Sequence, residues 1–287
     1  NNFIDENEPL GTIIGELSNQ DLDFVDSHTY EFVLPDGTLT TTYGAFSISQ
    51  EPGTRTAELV QSGELNFEEI SKHFLTIRAT DAGGTRQPGL PFFTEEQFVI
   101  NLIDINDAPV ITLLDKQVIL EDIVLALDID IGDEDAEIRG TKLKATFKAT
   151  HGSLSVGNGK GEKLDILTFE GTTTAINQAI EDLEYTPDAD YHGKAQIEVE
   201  VQDFGDDLGD PQTSTRIVDL DIESVSDAPR RLDLDENEVL EDSETGFLVG
   251  KLKAFDIDEE DLTHEYDFEL PDGTTTKIFN GFEINGD

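Results

Sequence analysis

The chain has 287 residues and a formal charge of −46, from 64 acidic and 18 basic side chains. Such a surface repels DNA, RNA and anionic membranes, which excludes nucleic-acid binding, and its self-repulsion calls for salt or bound cations, divalent metal above all. Cysteine is absent, which excludes disulfides, thiolate metal sites and thiol nucleophiles, while 36% hydrophobic residues and 17 Phe exclude wholesale disorder.

In chain order, short β-branched or aromatic segments of alternating polarity come first: "TIIGEL", "YEFVL", "AFSIS", "HFLTIRATD" and "EQFVINLID". Gly, Pro and Asp turns separate them, and "LPDGT" reads as a hairpin turn. A second strand series follows: "KLKATFKAT", "GSLSV", "LDILTFEG", "AQIEVEVQD" and "STRIVDLDIE". Within it one helical pattern, "TTTAINQAIEDLEY", puts Ile176, Ile180 and Leu183 on one face behind a capping Thr. About seven short strands in roughly 105–120 residues predict antiparallel sandwiches of the immunoglobulin-like class. No apolar run reaches the ~20 residues of a membrane span. Met is absent even at position 1, so the chain reads as an internal piece of a longer polypeptide.

The sequence also repeats itself. "DENEPLGTIIGEL" (5–17) aligns without a gap on "LEDSETGFLVGKL" (240–252), which sets Glu6 on Glu241, Gly11 on Gly246 and Gly15 on Gly250. Asp21-X-Asp23 then meets Asp256-X-Asp258, "YEFVLPDGT" meets "YDFELPDGT", and Phe46 meets Phe282. A period of about 235 residues implies tandem architecture. Between the copies lies a different unit, and both joints carry an Asp-Ala-Pro stop: "LIDINDAPVI" and "LDIESVSDAPRR". Pro is confined to strand edges and favours an extended linker. The expected plan is 1–107, 108–227 and 228–287, the last being half a repeat.

Acidic motifs punctuate the first unit: Glu6 in "ENEPLGT", Asp21-X-Asp23, Glu68 in "LNFEE", Asp81 in "RATDAGG", and "DINDAP" with Asp104, Asn106 and Asp107. In this order and at this spacing the unit resembles a cadherin repeat, and 233–287 resembles the first half of one. The fold this implies is all-β, with cadherin-like sandwiches arranged end to end. The resemblance further implies Ca²⁺ between successive repeats, and the chemistry agrees, since Ca²⁺ takes six to eight hard oxygens and no single loop here has an EF-hand pattern.

Carried over by the resemblance, the first joint uses Glu6, Glu68, Asp104, Asn106, Asp107 and the Ile105 carbonyl, with Asp133, Asp135 and Asp203 from the next unit. Asp21, Asp23 and Asp81 then face an upstream joint. Asn66 stands where the family has Asp, and Ala108 where it has Asn, so two or three ions are expected. The second joint has Ser224 and Ser226 in place of Asp104 and Asn106, which leaves Glu121, Asp227, Asp256 and Asp258. One ion, or two weak ones, is the expectation there. The middle unit is similar to repeats of giant bacterial surface adhesins, through "HGSLSV", "FEGTTTAINQAIEDLEYTPDADYHG" and "VEVQD". "DADYHG" itself reads as a turn around a packed Tyr191 rather than a metal site.

Five scattered His, with no Ser or Cys in a nucleophile context, make no triad, so no enzyme is expected. The reading is a calcium-rigidified segment of an extracellular, cell-surface stalk or adhesin. Its expected partners are calcium ions, neighbouring repeats, and other copies of the chain or surface glycans. The alternative is a calcium-dependent module that binds carbohydrate or a partner protein.

Overall fold

The computed structural model describes residues 2–20, 27–81, 92–157, 161–205, 207–258 and 264–285. The first part contains β1 (Phe3–Asp5), β2 (Ile13–Ser18), β3 (His28–Val33), β4 (Leu39–Thr40), β5 (Thr42–Tyr43), β6 (Phe46–Ser49), β7 (Thr56–Gln61), β8 (Lys72–Asp81) and β9 (Phe93–Ile103). They form a five-stranded sheet ordered β1-β9-β8-β3-β4 and a four-stranded sheet ordered β2-β7-β6-β5. Alternation decides which side chains enter the space between the sheets, because neighbouring residues of a strand point to opposite faces. In β3 that pattern buries His28, Tyr30 and Phe32, and Phe32 meets Phe46, Leu59, Leu75 and Leu102 in one core. Each such apolar side chain contributes roughly 1.5–3 kcal/mol on burial.

The second part contains β10 (Val110–Thr112), β11 (Lys116–Leu120), β12 (Leu125–Ala126), β13 (Asp130–Gly132), α1 (Glu134–Arg139), β14 (Leu143–Ala149), β15 (Gly152–Ser155), β16 (Ile166–Gly171), α2 (Thr173–Ile180), β17 (Glu184–Pro187), β18 (Gly193–Gln202) and β19 (Thr213–Glu223). A five-stranded sheet, β11-β19-β18-β14-β16, faces a three-stranded one, β12-β17-β15. Their core holds Phe147, Leu154, Tyr185, Ile197 and Leu220, closed by Ile176, Ile180 and Leu183 from α2 and its exit.

Both sandwiches are antiparallel except at one edge. There β1 runs parallel to β9, and β11 parallel to β19. This parallel edge has a consequence: β1 and β11 end at the same pole as β9 and β19, so Glu6 and Glu121 lie beside the linkers that follow Ile103 and Glu223.

The sequence pattern showed one helix in the middle unit, and the structure has two. The extra one, α1, begins where Asp133 Oδ1 accepts from Ala136 N at 2.8 Å and ends at Gly140, which is left-handed at φ 67°. A capping Asp, acidic first turn, Arg139 in the last turn and a following Gly are the local signals for it. Six residues are too few to display a periodic apolar face, so periodicity carries no signal for this helix.

Both "LPDGT" segments are hairpin turns. Leu34 N donates to Thr38 O at 2.9 Å and Leu270 N to Thr274 O at 2.8 Å, with Gly37 and Gly273 at φ 84° and 82°. Beyond the second linker, β20 (Arg231–Leu234) pairs with β21 (Leu252–Phe255), β22 (Phe268–Glu269) with β23 (Thr275–Thr276), and β24 (Ile278–Phe279) with β25 (Phe282–Glu283). There Phe282 is 47% exposed, whereas its counterpart Phe46 is 1% exposed. Among the described residues no helix is long and apolar enough to cross a membrane.

Candidate metal centres at the joints

At the first joint Glu6 is buried, and its carboxylate is held on both sides. Oε2 accepts from Phe67 N at 2.6 Å and Oε1 from Ile105 N at 2.9 Å. Burial raises its pKa and those two amides pull it back, so the side chain ties the Glu68 loop to the linker. Glu68 is pushed up to about 7, mainly by burial, with the charges of Glu6, Asp135 and Asp104 adding to it.

The linker is bonded to the next sandwich. Asp107 N donates to Asp135 Oδ2 at 2.7 Å, and Asn106 Nδ2 donates to Asp203 Oδ2 at 3.2 Å. Asp203 is buried and its Oδ1 accepts from Gly205 N and Gln212 N. Asn106 O in turn accepts from Gln212 Nε2. Asp133, the cap of α1, is pushed up to about 6 by burial, against the Ala136 amide and with the charges of Asp203, Asp135 and Asp107. Asp135 is raised too, again mainly by burial.

Four oxygens at this joint are buried without a hydrogen-bond partner among the described residues: Glu68 Oε2, Asp104 Oδ1, Asp133 Oδ2 and Asp135 Oδ1. A buried anionic oxygen with no donor is costly. Carboxylate atoms of Glu6, Glu68 and Asp107 lie within 4.8 Å of one another, as do those of Glu68, Asp104 and Asp135. The donors are hard oxygens delivered by several loops, which fits Ca²⁺ better than a soft or strictly octahedral ion. Asn66, at the outer margin, donates from Nδ2 to Glu134 Oε2 at 2.5 Å.

The second joint repeats the plan. Glu121 is buried and its Oε1 accepts from Val225 N at 2.6 Å, as Glu6 does from Ile105. Asp227 N donates to Asp258 Oδ2 at 2.6 Å, and Asp258 N to Asp256 Oδ1 at 3.2 Å. Glu121, Asp227 and Asp258 come within the same 4.8 Å limit. A second group there was not foreseen from sequence: Asp122, Asp190 and Asp227. Its Asp227 Oδ2 is buried and unpartnered among the described residues.

Asp122 and Asp190 both sit in left-handed backbone, at φ 60° and 57°. That is a conformation few non-glycine residues adopt, and Asp is among those that tolerate it. "DADYHG" therefore does two things. Tyr191 stacks on His151 with ring centroids 4.2 Å apart, as its reading as a packed turn requires, and Asp190 is turned to the joint. The loss of carboxylates implied by Ser224 and Ser226 is offset by residues from other loops, so the two joints are more alike than their linkers.

Asp81 closes the opposite end of β8, paired across to His28, away from the end where Lys72 meets Asn101. It takes no part in the first joint. Asp21 and Asp23 lie outside the described residues.

No protein-family model matches the chain. It is 29% identical to Protocadherin Fat 4 of Homo sapiens over 231 residues, covering 78% of this chain and 4% of that protein. It is 36% identical to Protocadherin Fat 4 of Mus musculus over 107 residues, 37% of this chain and 2% of that protein. The Protocadherin-like wing polarity protein stan of Drosophila melanogaster is 28% identical over 145 residues, 46% of this chain and 4% of that protein. The chain thus spans only a few per cent of the length of these relatives. Among solved structures it is similar to the Protocadherin GammaB4 extracellular domain, at 18% identity and TM-score 0.37, over 89% of this chain and 38% of that one. Human Protocadherin-24 EC1-2 gives 16% identity and TM-score 0.40, over 78% and 94%. The sequence likeness to Protocadherin Fat 4 of Homo sapiens, at 231 residues, is longer than either sandwich.

Proposed function

We propose that residues 1–107, 108–227 and 228–287 are consecutive repeats of a non-enzymatic, extracellular adhesion stalk at the cell surface, stiffened by Ca²⁺ at each joint. The observation that carries this reading is the set Glu68, Asp104 and Asp135, in which carboxylates of two successive units come within 4.8 Å with buried oxygens left unpartnered. The first joint would hold its ions with Glu6, Glu68, Asp104, Asn106, Asp107, Asp133, Asp135 and Asp203, helped by the Ile105 carbonyl. The second would use Glu121, Asp227, Asp256 and Asp258, joined by Asp122 and Asp190. The likeness of 108–227 to repeats of giant bacterial surface adhesins is part of the same reading.

The mechanism is electrostatic. Crowded carboxylates repel, and in a partly desolvated joint that repulsion is several times stronger than in water. Bound calcium supplies the compensating positive charge. The backbone bonds from Asp107 to Asp135 and from Asp227 to Asp258 fix which carboxylates face each other, and Glu6 and Glu121 hold the linkers against their own units. Occupancy follows mass action, so millimolar extracellular calcium fills even modest sites, while cytosolic levels leave them empty.

The test is small-angle scattering and thermal denaturation of the chain in calcium and in EDTA. Chelation is expected to broaden the distribution of maximum dimensions and to lower the first unfolding temperature. Identical curves under both conditions would refute the reading.

A further inference from the structure

We infer that Arg139 and Arg230 are built-in cations of the two joints, each holding a carboxylate that a divalent ion would otherwise claim. The inference rests on the calcium reading of the joints and concerns how their sites are graded. Arg139 ends α1, the helix whose cap is Asp133 and whose first turn holds Asp135. Its Nη2 reaches back across the joint to Asp104 Oδ2 at 2.5 Å, and its Nε lies 3.9 Å from Asp135 Oδ1. It therefore touches two of the three carboxylates in the group Glu68, Asp104 and Asp135, and none of its contacts is to Glu6 or Asp107.

The second joint has the same arrangement built from different positions. Arg230 follows the Ala228-Pro229 stop, is anchored by its backbone N–H to Phe255 O at 2.8 Å, and bonds through Nη2 to Asp190 Oδ2. Asp190 belongs to the group Asp122, Asp190 and Asp227, while Glu121, Asp227 and Asp258 form the other. At each joint, then, one carboxylate group is met by a guanidinium and one is not.

Two consequences follow. A guanidinium cannot lose its charge in the accessible pH range, so it lowers the affinity of its group for a second cation by like-charge repulsion and by occupying ligand oxygens. The arginine-free group fills first and the arginine-bearing group last. When calcium is low, the arginine still ties one repeat to the next through a charge-assisted hydrogen bond. Each joint is then graded, not all-or-none.

The experiment uses the full 287-residue chain, with Arg139→Gln, Arg230→Gln and the charge-preserving Arg139→Lys. Calcium binding is measured by calorimetry and joint flexibility by scattering in EDTA. The wild type is expected to bind calcium in two affinity classes. Each Gln variant should tighten the weaker class about ten-fold, a change of 1.4 kcal/mol, and should broaden the dimensions in EDTA. Arg139→Lys should stay close to wild type in both. If the Gln variants match wild type in both readouts, the arginine inference is wrong and the calcium reading stands. If the wild type binds no calcium, the reading it rests on is wrong and the inference goes with it.

Discussion

The backbone N–H of Asp107 meets the carboxylate of Asp135 at 2.7 Å, and the same contact recurs between Asp227 and Asp258 at 2.6 Å. A linker residue of one unit is thereby keyed to the Asp-X-Asp motif of the next. The key uses main chain on one side only, so it survives the change of linker sequence from "DINDAP" to "SVSDAP".

Glu6 holds the first linker to its own unit through two amides, at 2.6 and 2.9 Å. Glu6→Ala removes both acceptors and leaves the Phe67 and Ile105 N–H groups unpaired, at a cost of about 2–4 kcal/mol. Glu6→Gln retains one acceptor oxygen and should lose about half as much. Chemical denaturation in EDTA, which removes any contribution from metal, measures both; equal stability of the Ala variant and wild type would contradict the assigned contacts.

The joint carboxylates predict a pH dependence with opposite signs in the presence and absence of metal. Glu68 is raised to about 7 and Asp133 to about 6, each mainly by burial, from ordinary values of 4.5 and 3.8. Between the ordinary and the raised values the folded chain binds more protons than the unfolded one. Their contribution is thus fully present below about pH 4 and lost as pH rises through 6 to 7. In EDTA the first joint should loosen over that interval. Calcium affinity should increase over it, with protons released on binding, because only the carboxylate forms are ligands. Calorimetry in buffers of different ionisation enthalpy reads the proton release.

Asp122 and Asp190 are held in left-handed backbone and face Asp227. Asn tolerates that backbone equally well, so Asp122→Asn should leave stability in EDTA within about 0.5 kcal/mol of wild type, whereas Asp190→Asn also gives up the charge-assisted bond from Arg230. Each should weaken calcium binding at the second joint about ten-fold and leave the first untouched. A calcium titration unchanged in both variants would remove these residues from the site.

Gly152 packs against the strand that leads to Asp190. A Cβ there would lie 2.5 Å from the Thr186 carbonyl and 2.6 Å from the Tyr185 ring. Tyr185 is held in place, since its hydroxyl, with one proton to give, lies within hydrogen-bonding distance of both Thr150 O and His151 O, at 3.0 and 2.8 Å. Gly152→Ala should cost about 1–3 kcal/mol through overpacking, readable as a lower denaturation midpoint.

Much of this protein is legible in its sequence because two of its signals are local. Alternation in "YEFVL" or "AQIEVEVQD" follows from the two-residue period of a strand, and the observed β3 and β18 lie within two residues of those segments at either end. The Pro-Asp-Gly turns need a left-handed Gly, and both copies have one. The carboxylate motifs of the first joint were legible only through the resemblance to a cadherin repeat, whose order they follow: Glu6, Asp104 and Asp107 come just after strand ends, and Asp135 in the first turn of α1.

Tertiary structure alone decided the rest. Asp122 and Asp190 are 68 residues apart with nothing in common locally, and they meet because β11 ends, and β18 begins, at the end of β19, the first running parallel to it and the second antiparallel. Arg139 and Arg230 look like ordinary surface cations in the sequence, and their reach onto Asp104 and Asp190 depends on how one sandwich is seated on the next. Strand identity and turn chemistry are set by a few neighbouring residues. Which charges share a joint is set by packing, where a shift of a few ångströms decides whether two carboxylates and a guanidinium are partners or strangers.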